Sequence, residues 1–316
     1  MKITVLDGYG LNPGDLSWKG FEELGELTVY DRTDNNQLSE RAKDSDVLIT
    51  NKTVLNAEMI SSLPKLRYIG VLATGYNVVD TEEAHKRGIA VTNIPAYSTM
   101  SVAQRVFAFL LSITDRVEHY ALQVSNGKWT ASKDFCYWDT NLTELAGKYF
   151  GIVGYGNIGQ AVARIALAFG MNVLAVTSKE PAQLPEQIKK VSLDELWKES
   201  DIISLHCPLT PDTSQIINRE NIAKMKPGVI LINTGRGGLV NETAMATALT
   251  EGKIGAFCAD VLSTEPPLAS NPLLSAPNAY ITPHIAWATK EARQRLMNMA
   301  VDNLKQFMAG KPVNLV

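Results

Sequence analysis

Four histidines, an arginine set among glycines and a glutamate ahead of two prolines are the side chains in this sequence best suited to move protons and hold anions. An imidazole, with an ordinary pKa of about 6.5, exchanges protons readily near neutral pH. His85 and His119 stand in polar helical stretches, where a solvent-facing role accounts for them. His206 and His284 follow strand-like runs, and open α/β sheets bind their ligands at the carboxyl ends of strands. Position alone does not choose between these two. Arg236, flanked by Gly235, Gly237 and Gly238 in INTGRGGLVNE, could reach into a cleft and clamp a carboxylate through two parallel bonds. Read alone, it is better accounted for as a solvated cap on a turn. Glu265 lies in ADVLSTEPP, a block that also carries Asp260. A glutamate there is ordinarily just exposed, yet three such residues after three successive strands ask for a joint explanation.

A second constellation is GIVGYGNIGQ, in which Gly154, Gly156 and Gly159 form GxGxxG directly after a strand pattern and directly before a helical one. Gly154 suits a tight turn, Gly156 lets backbone approach a pyrophosphate, and Gly159 allows helix and strand to pack closely. Asn157 and Ile158 open the helix, whose N-terminal N–H groups face the phosphates. NAD-binding loops carry an acid about 20 residues further on to hold the ribose 2′-hydroxyl. Here Thr177, Ser178 and Lys179 follow the next strand, with no carboxylate before Glu180. Two hydroxyls and a cation suit the 2′-phosphate of NADP, so the reading leans to NADP over NAD. NAD held by neutral hydrogen bonds is the alternative.

The elements that must place these residues are strands alternating with helical segments. In the first hundred residues the strands are ITVLD, LTVY, DVLIT, YIGVLA and AVTNI, and between them LSWKGFEELG, NNQLSERAKD, NAEMISSLP and DTEEAHKRG each present an apolar stripe at helical spacing. One long helix is expected from Ser101 to Ser125, with Val102, Val106, Phe109, Leu110, Ile113 and Val117 on one face. A second alternation has strands KYFGIVG, NVLAVT, DIISLH, GVILINT, GAFCAD and AYITP. Lys290 to Met308 is again helical and is expected to pack back on the first unit. Alternation of this kind means parallel crossovers. Between the two series lies SNGKWTASKDFCYWDTNL, an aromatic-rich loop that reads as a surface lid or, to account better for Trp129, Phe135, Tyr137 and Trp138, as an arm against another subunit.

Composition bounds the rest. The 316 residues exceed the roughly 100 to 200 of one domain, so two units are expected. A formal charge of −3 leaves no cationic surplus for a nucleic-acid backbone. Cys136, Cys207 and Cys258 lie too far apart for a zinc cluster or a disulfide framework, which predicts no metal site and a reducing compartment. No signal peptide or membrane span is legible, and the expected location is the cytoplasm.

Taken together, GIVGYGNIGQAVA, LHCPLTPDT, INTGRGGLVNE, ADVLSTEPP and TPHIAWAT resemble, in order and over essentially the whole chain, the D-isomer-specific 2-hydroxyacid dehydrogenases. The intervals of 29 residues from Arg236 to Glu265 and 19 from Glu265 to His284 are typical of that family. LATGYNVVD and DFCYWDTNLTELAGK most resemble its glycerate dehydrogenases, also called hydroxypyruvate reductases.

The resemblance implies an α/β protein of two doubly wound parallel-sheet domains. Residues 1–99 with 289–316 would form a flavodoxin-like substrate domain, and 100–288 a Rossmann NAD(P)-binding domain, with a cleft that closes on the substrate. It implies hydride transfer between a nicotinamide dinucleotide and a small 2-hydroxy or 2-keto acid, D-glycerate and hydroxypyruvate first, glyoxylate next. His284 would be the acid, Glu265 its orienting partner and Arg236 the carboxylate anchor. Ala73, Thr74, Gly75 and Tyr76 would form a second carboxylate cradle. Thr234, Gly235, Arg236, Asp260 and His284 would lie near the nicotinamide, and His206, Cys207, Pro208 and Thr213 beside the rest of the dinucleotide. The long helix and arm, 101–142, would make a homodimer. Rival readings are a relative specific for lactate, phenylpyruvate or phosphoglycerate, and a non-catalytic dinucleotide sensor of the same fold. A sensor needs only the glycine loop, so Arg236, Glu265 and His284 together favour chemistry.

Overall fold

Val47–Thr50 and Tyr68–Val71 are buried at every position, a pattern that suits only the interior of a parallel sheet covered on both faces. The structure, a computed structural model, describes residues 1–316 and divides into two units, Met1–Ser98 with Trp287–Val316, and Thr99–Ala286.

The first unit alternates β1 (Lys2–Val5), α1 (Lys19–Glu22), β2 (Glu26–Val29), α2 (Asn35–Ala42), β3 (Val47–Thr50), α3 (Ala57–Ser61), β4 (Tyr68–Val71), α4 (Thr81–Lys86) and β5 (Ala90–Thr92). Its five strands are parallel in the order β2-β1-β3-β4-β5, the flavodoxin-like order. Asn56 and Asp80 cap α3 and α4 by accepting the N–H groups of Met59 and Glu83. In the segment LSWKGFEELG only four residues are helical, enough to bury Phe21. Glycines at 20 and 25 do not favour a longer helix.

The second unit contains α5 (Thr99–Thr114), α6 (Val117–Ser125), β6 (Tyr149–Val153), α7 (Asn157–Ala168), β7 (Asn172–Val176), β8 (Ile188–Lys190), α8 (Leu193–Glu199), β9 (Ile202–Leu205), α9 (Arg219–Lys224), β10 (Val229–Asn233), α10 (Glu242–Thr250), β11 (Ile254–Ala259) and β12 (Ala279–Ile281). Its seven parallel strands run β12-β11-β10-β9-β6-β7-β8. The order reverses between β6 and β9, the crevice where doubly wound sheets take nucleotides.

The structure departs from the sequence pattern at one helix and one strand of this unit. The single helix from Ser101 to Ser125 is two helices, because Arg116 adopts a left-handed conformation at φ 52°. Thr114 Oγ1 donates back to the Leu110 carbonyl at 3.1 Å, a bond that competes with helix continuation. The buried stripe of Val102, Val106, Phe109 and Leu110 therefore stops, and Val117 is 71% exposed. The seventh strand, β8, was not anticipated: it buries only Ile188, and its two lysines mark an edge.

The arm at 126–142 leaves Trp129, Phe135 and Trp138 exposed. His119 is not simply solvent-facing, since its Nε2 lies 2.9 Å from Asp139 Oδ1. Asp139 also accepts from Lys128 and Gln123, and these bonds, Lys128 first, hold its carboxyl well below the usual carboxylate range. The last helix, α11 (Lys290–Met308), belongs to the first unit. It buries Leu296, Met297, Ala300, Val301 and Leu304 with Ile3, Val5, Phe21 and Tyr68. Arg293 pairs with Asp15 through two bonds of 2.7 Å. No helix is long and apolar enough to cross a membrane.

Candidate active site

The glycine loop sits between β6 and α7, at the reversal of strand order. Gly154 has φ 99°, and a Cβ there would meet the backbone nitrogen of Cys207 at 2.5 Å. The loop after β9 therefore lies directly against it, held by His206 N–H donating to the Val153 carbonyl at 2.7 Å. Gly156, the N-cap of α7, has open space in front of it. Asn157 and Ile158 begin the helix, and Gly159 packs on the Gly154 carbonyl. Thr213 Oγ1 donates to the Pro208 carbonyl at 2.6 Å and accepts from Thr210 N–H, closing the 208–213 loop. Ser204 Oγ lies 2.8 Å from His206 Nε2, and desolvation pushes that imidazole down to about 3, so it stays neutral at ordinary pH. Burial likewise raises the Cys207 thiol. Thr177, Ser178 and Lys179 form the turn after β7, with Lys179 N–H donating to Thr177 Oγ1.

Three neighbouring strand ends carry the remaining groups. After β10, the buried Asn233 clasps the turn from both sides: its Oδ1 accepts Gly235 N–H at 3.0 Å and its Nδ2 donates to the Arg236 carbonyl at 2.9 Å. The exposed Arg236 guanidinium bonds only its own neighbour, the Gly235 carbonyl, and neither Glu265 nor His284. Gly237 is packed so closely on the backbone at Leu262 and Ser263 that any side chain would force the β10 and β11 loops apart. After β11, Glu242 accepts from Ser263 N–H, Ser263 Oγ and Asn271 Nδ2, tying down the loop that carries Glu265. Leu262 N–H donates to Glu265 Oε1 at 3.0 Å, and Glu265 Oε2 lies 2.6 Å from His284 Nδ1.

His284 follows β12 with φ 53°, a left-handed conformation that costs a bulky residue about 1–2 kcal/mol. Asp260 holds it there. The Asp260 carbonyl accepts His284 N–H, while its carboxylate accepts Thr282 Oγ1, Ile285 N–H and Ala286 N–H. Asp260 is 1% exposed, and its side chain is committed to this loop.

In the first unit, Ala73, Thr74, Gly75 and Tyr76 form the bend after β4. Thr74 Oγ1 donates to the Ile94 carbonyl, and Asn93 Nδ2 donates to the Thr74 carbonyl. None of the loop's backbone hydrogen bonds uses the N–H of Thr74, Gly75 or Tyr76.

Sequence reasoning missed Asn233, Glu242 and the anchoring part of Asp260. Their signal was present, since each stands within or beside a motif already singled out; the partners of Glu242 and Asp260 lie 21 to 29 residues away, and Asn233 acts only through the turn it closes. The residues fit a dinucleotide on two observations: the open space at Gly156, and Thr234 Oγ1, which is buried at the end of β10 with no hydrogen-bond partner. No group of three or more His, Cys, Asp or Glu is arranged to hold a metal ion.

A parallel sheet with a glycine loop at its switch point, and a His–Glu pair and an arginine on adjacent strand ends, defines a nicotinamide-dependent oxidoreductase class. Residues 107–286 match the model of the D-isomer specific 2-hydroxyacid dehydrogenase NAD-binding domain. The hydroxypyruvate reductase of Blautia hydrogenotrophica is 54% identical over 320 aligned positions, covering 100% of this chain and 99% of that protein. The glycerate dehydrogenase of Methylorubrum extorquens is 40% identical, covering 100% and 98%. Among solved structures, an acyclic imino acid reductase in complex with NADPH and D-arginine superposes with a TM-score of 0.84 at 33% identity, covering 100% of both chains. The chain belongs to the D-isomer-specific 2-hydroxyacid dehydrogenase family.

Proposed function

We propose that the protein interconverts a small 2-keto acid and its D-2-hydroxy acid, with hydroxypyruvate and D-glycerate as the principal pair and glyoxylate as a second substrate. The observation that carries the chemistry is the 2.6 Å contact between His284 Nδ1 and Glu265 in a unit whose strand ends also carry Arg236 and the glycine loop. The substrate class rests on the likeness to the Blautia and Methylorubrum enzymes.

In the reducing direction, a nicotinamide dinucleotide held at the glycine loop would supply the hydride that the keto carbon takes up. Arg236 holds the substrate carboxylate through its planar fork. His284, fixed at Nδ1 by Glu265, gives its Nε2 proton to the keto oxygen as negative charge builds there. Ala73, Thr74, Gly75 and Tyr76 of the first unit are assigned to substrate binding, the unused N–H groups of the last three suiting a carboxylate. Gly154, Gly156, Asn157, Ile158 and Gly159 take the pyrophosphate. His206, Cys207, Pro208 and Thr213 line the dinucleotide beyond it. Thr234, Gly235 and Asp260 stand at the nicotinamide end, Asp260 by shaping the loop. With Thr177, Ser178 and Lys179 after β7 and no acid among them, the preferred dinucleotide is NADP.

The exposed Trp129, Phe135 and Trp138 support a homodimer built through 101–142, which sedimentation equilibrium would measure. The three cysteines are free, which suits the cytoplasm.

A panel of hydroxypyruvate, glyoxylate, pyruvate and phenylpyruvate, assayed with NADPH and NADH and followed by chiral analysis of the product, tests this reading. Hydroxypyruvate should give the highest kcat/KM and D-glycerate as product. Dinucleotide binding with no turnover of any acid would favour the sensor reading.

A further inference from the structure

The turn after β7 has a neighbour that lies outside the sequence motif. Lys190, the last residue of β8, is exposed and places its Nζ 2.7 Å from the Lys179 carbonyl oxygen. The parallel pairing of β7 with β8, which sets Ala175 opposite Lys190, brings the two strand ends side by side. On the other side of the turn, the Lys179 ammonium lies over the ring of Tyr155, 5.7 Å from its centroid, and Tyr155 is the middle residue of Gly154–Tyr155–Gly156. The turn Thr177–Ser178–Lys179 is thus flanked by two ammonium groups, one reaching toward the glycine loop and one pinned from the next strand. Lys189 points to the other side of β8 and pairs with Glu199 at 3.5 Å, whereas neither Lys179 nor Lys190 forms a salt bridge. The nearest acid in sequence, Glu180, starts the short turn Pro181–Gln183, its N–H donating to Gln183 Oε1.

We infer that Lys190 is a cofactor-selecting residue, which, together with Lys179, binds the 2′-phosphate of NADP. This rests on the NADP reading above and extends it to a residue on a different strand. An ammonium has three donors. One is spent on the Lys179 carbonyl, which holds the group in place without neutralising it, and two remain for phosphate oxygens. Pinning the side chain in advance lowers the entropy lost when the phosphate arrives. A dianionic phosphate at this turn is attracted by two ammonium groups that form no salt bridge, and a neutral 2′-hydroxyl is not. The selection therefore acts on the phosphate alone and leaves the rest of the dinucleotide untouched.

The test is direct binding of NADPH and NADH, measured by quenching of protein fluorescence and by calorimetry, on the full chain and on Lys190→Gln and Lys190→Arg. The wild-type protein should hold NADPH at least tenfold more tightly than NADH. Lys190→Gln should weaken NADPH by about ten- to a hundredfold, as for loss of a charge-assisted contact, and NADH by less than about threefold. Lys190→Arg should keep most of the preference. Wild-type protein that binds NADH as tightly as NADPH overturns the NADP reading itself. A wild-type preference that survives Lys190→Gln unchanged overturns only the assignment of Lys190. Equal weakening of both dinucleotides would mean that Lys190 merely braces the loop, and also overturns it.

Discussion

His284 Nδ1 lies 2.6 Å from Glu265 Oε2, although the two residues belong to loops after different strands, β12 and β11. The contact fixes which ring nitrogen faces the carboxylate, and in the proposed mechanism the other one serves the substrate. Glu265→Gln keeps an oxygen acceptor but removes the charge that stabilises an imidazolium. Its kcat should fall by about ten- to a hundredfold with the KM for the keto acid little changed, as steady-state kinetics would read.

His284→Gln removes the side chain proposed as the proton donor. Turnover should drop by roughly a hundred- to ten-thousand-fold, while fluorescence titration should find dinucleotide binding intact. Near-normal turnover would end its assignment as the acid.

The proposed mechanism assigns Arg236 to the substrate carboxylate, and its guanidinium bonds neither His284 nor Glu265. Arg236→Ala should lower kcat/KM by the equivalent of about 1.5–3 kcal/mol, and Arg236→Lys should recover little of it, because a point charge cannot reproduce the planar fork. Retained keto-acid affinity and rate in both variants would refute the clamp.

Asp260 holds the left-handed turn at His284 with a buried carboxylate that accepts three hydrogen bonds. Asp260→Ala should cost at least about 2 kcal/mol of stability and lower kcat together, measured by chemical denaturation and by rate. A variant as stable as wild type would show that the loop needs no such anchor.

His206 is kept neutral by burial, which pushes its pKa down to about 3. The unfolded chain then binds a proton at this site between about pH 6.5 and pH 3 that the folded chain does not, so this residue makes the fold less stable as pH falls through that window. His206→Gln should flatten the slope of unfolding free energy between about pH 6.5 and pH 4. An unchanged slope would mean that the ring already titrates normally in the folded protein.

How much of this was readable beforehand follows from the range of the forces involved. The glycine loop, the last helix and the alternation of strands and helices were legible, because turn conformation and apolar spacing act over a few residues. The break at Arg116 was not, since the preceding residues keep a helical pattern and only the conformation at one position interrupts it. Nor was β8, which has a single buried side chain and owes its existence to pairing with β7.

The candidate site divides along the same line. Its residue types stood in the chain as motifs, and the family likeness assigned them parts. Position along the chain, however, left His206 and His284 equivalent. Folding separated them by desolvating one and setting a carboxylate against the other, because desolvation and hydrogen-bond geometry depend on neighbours that only a packed sheet brings together.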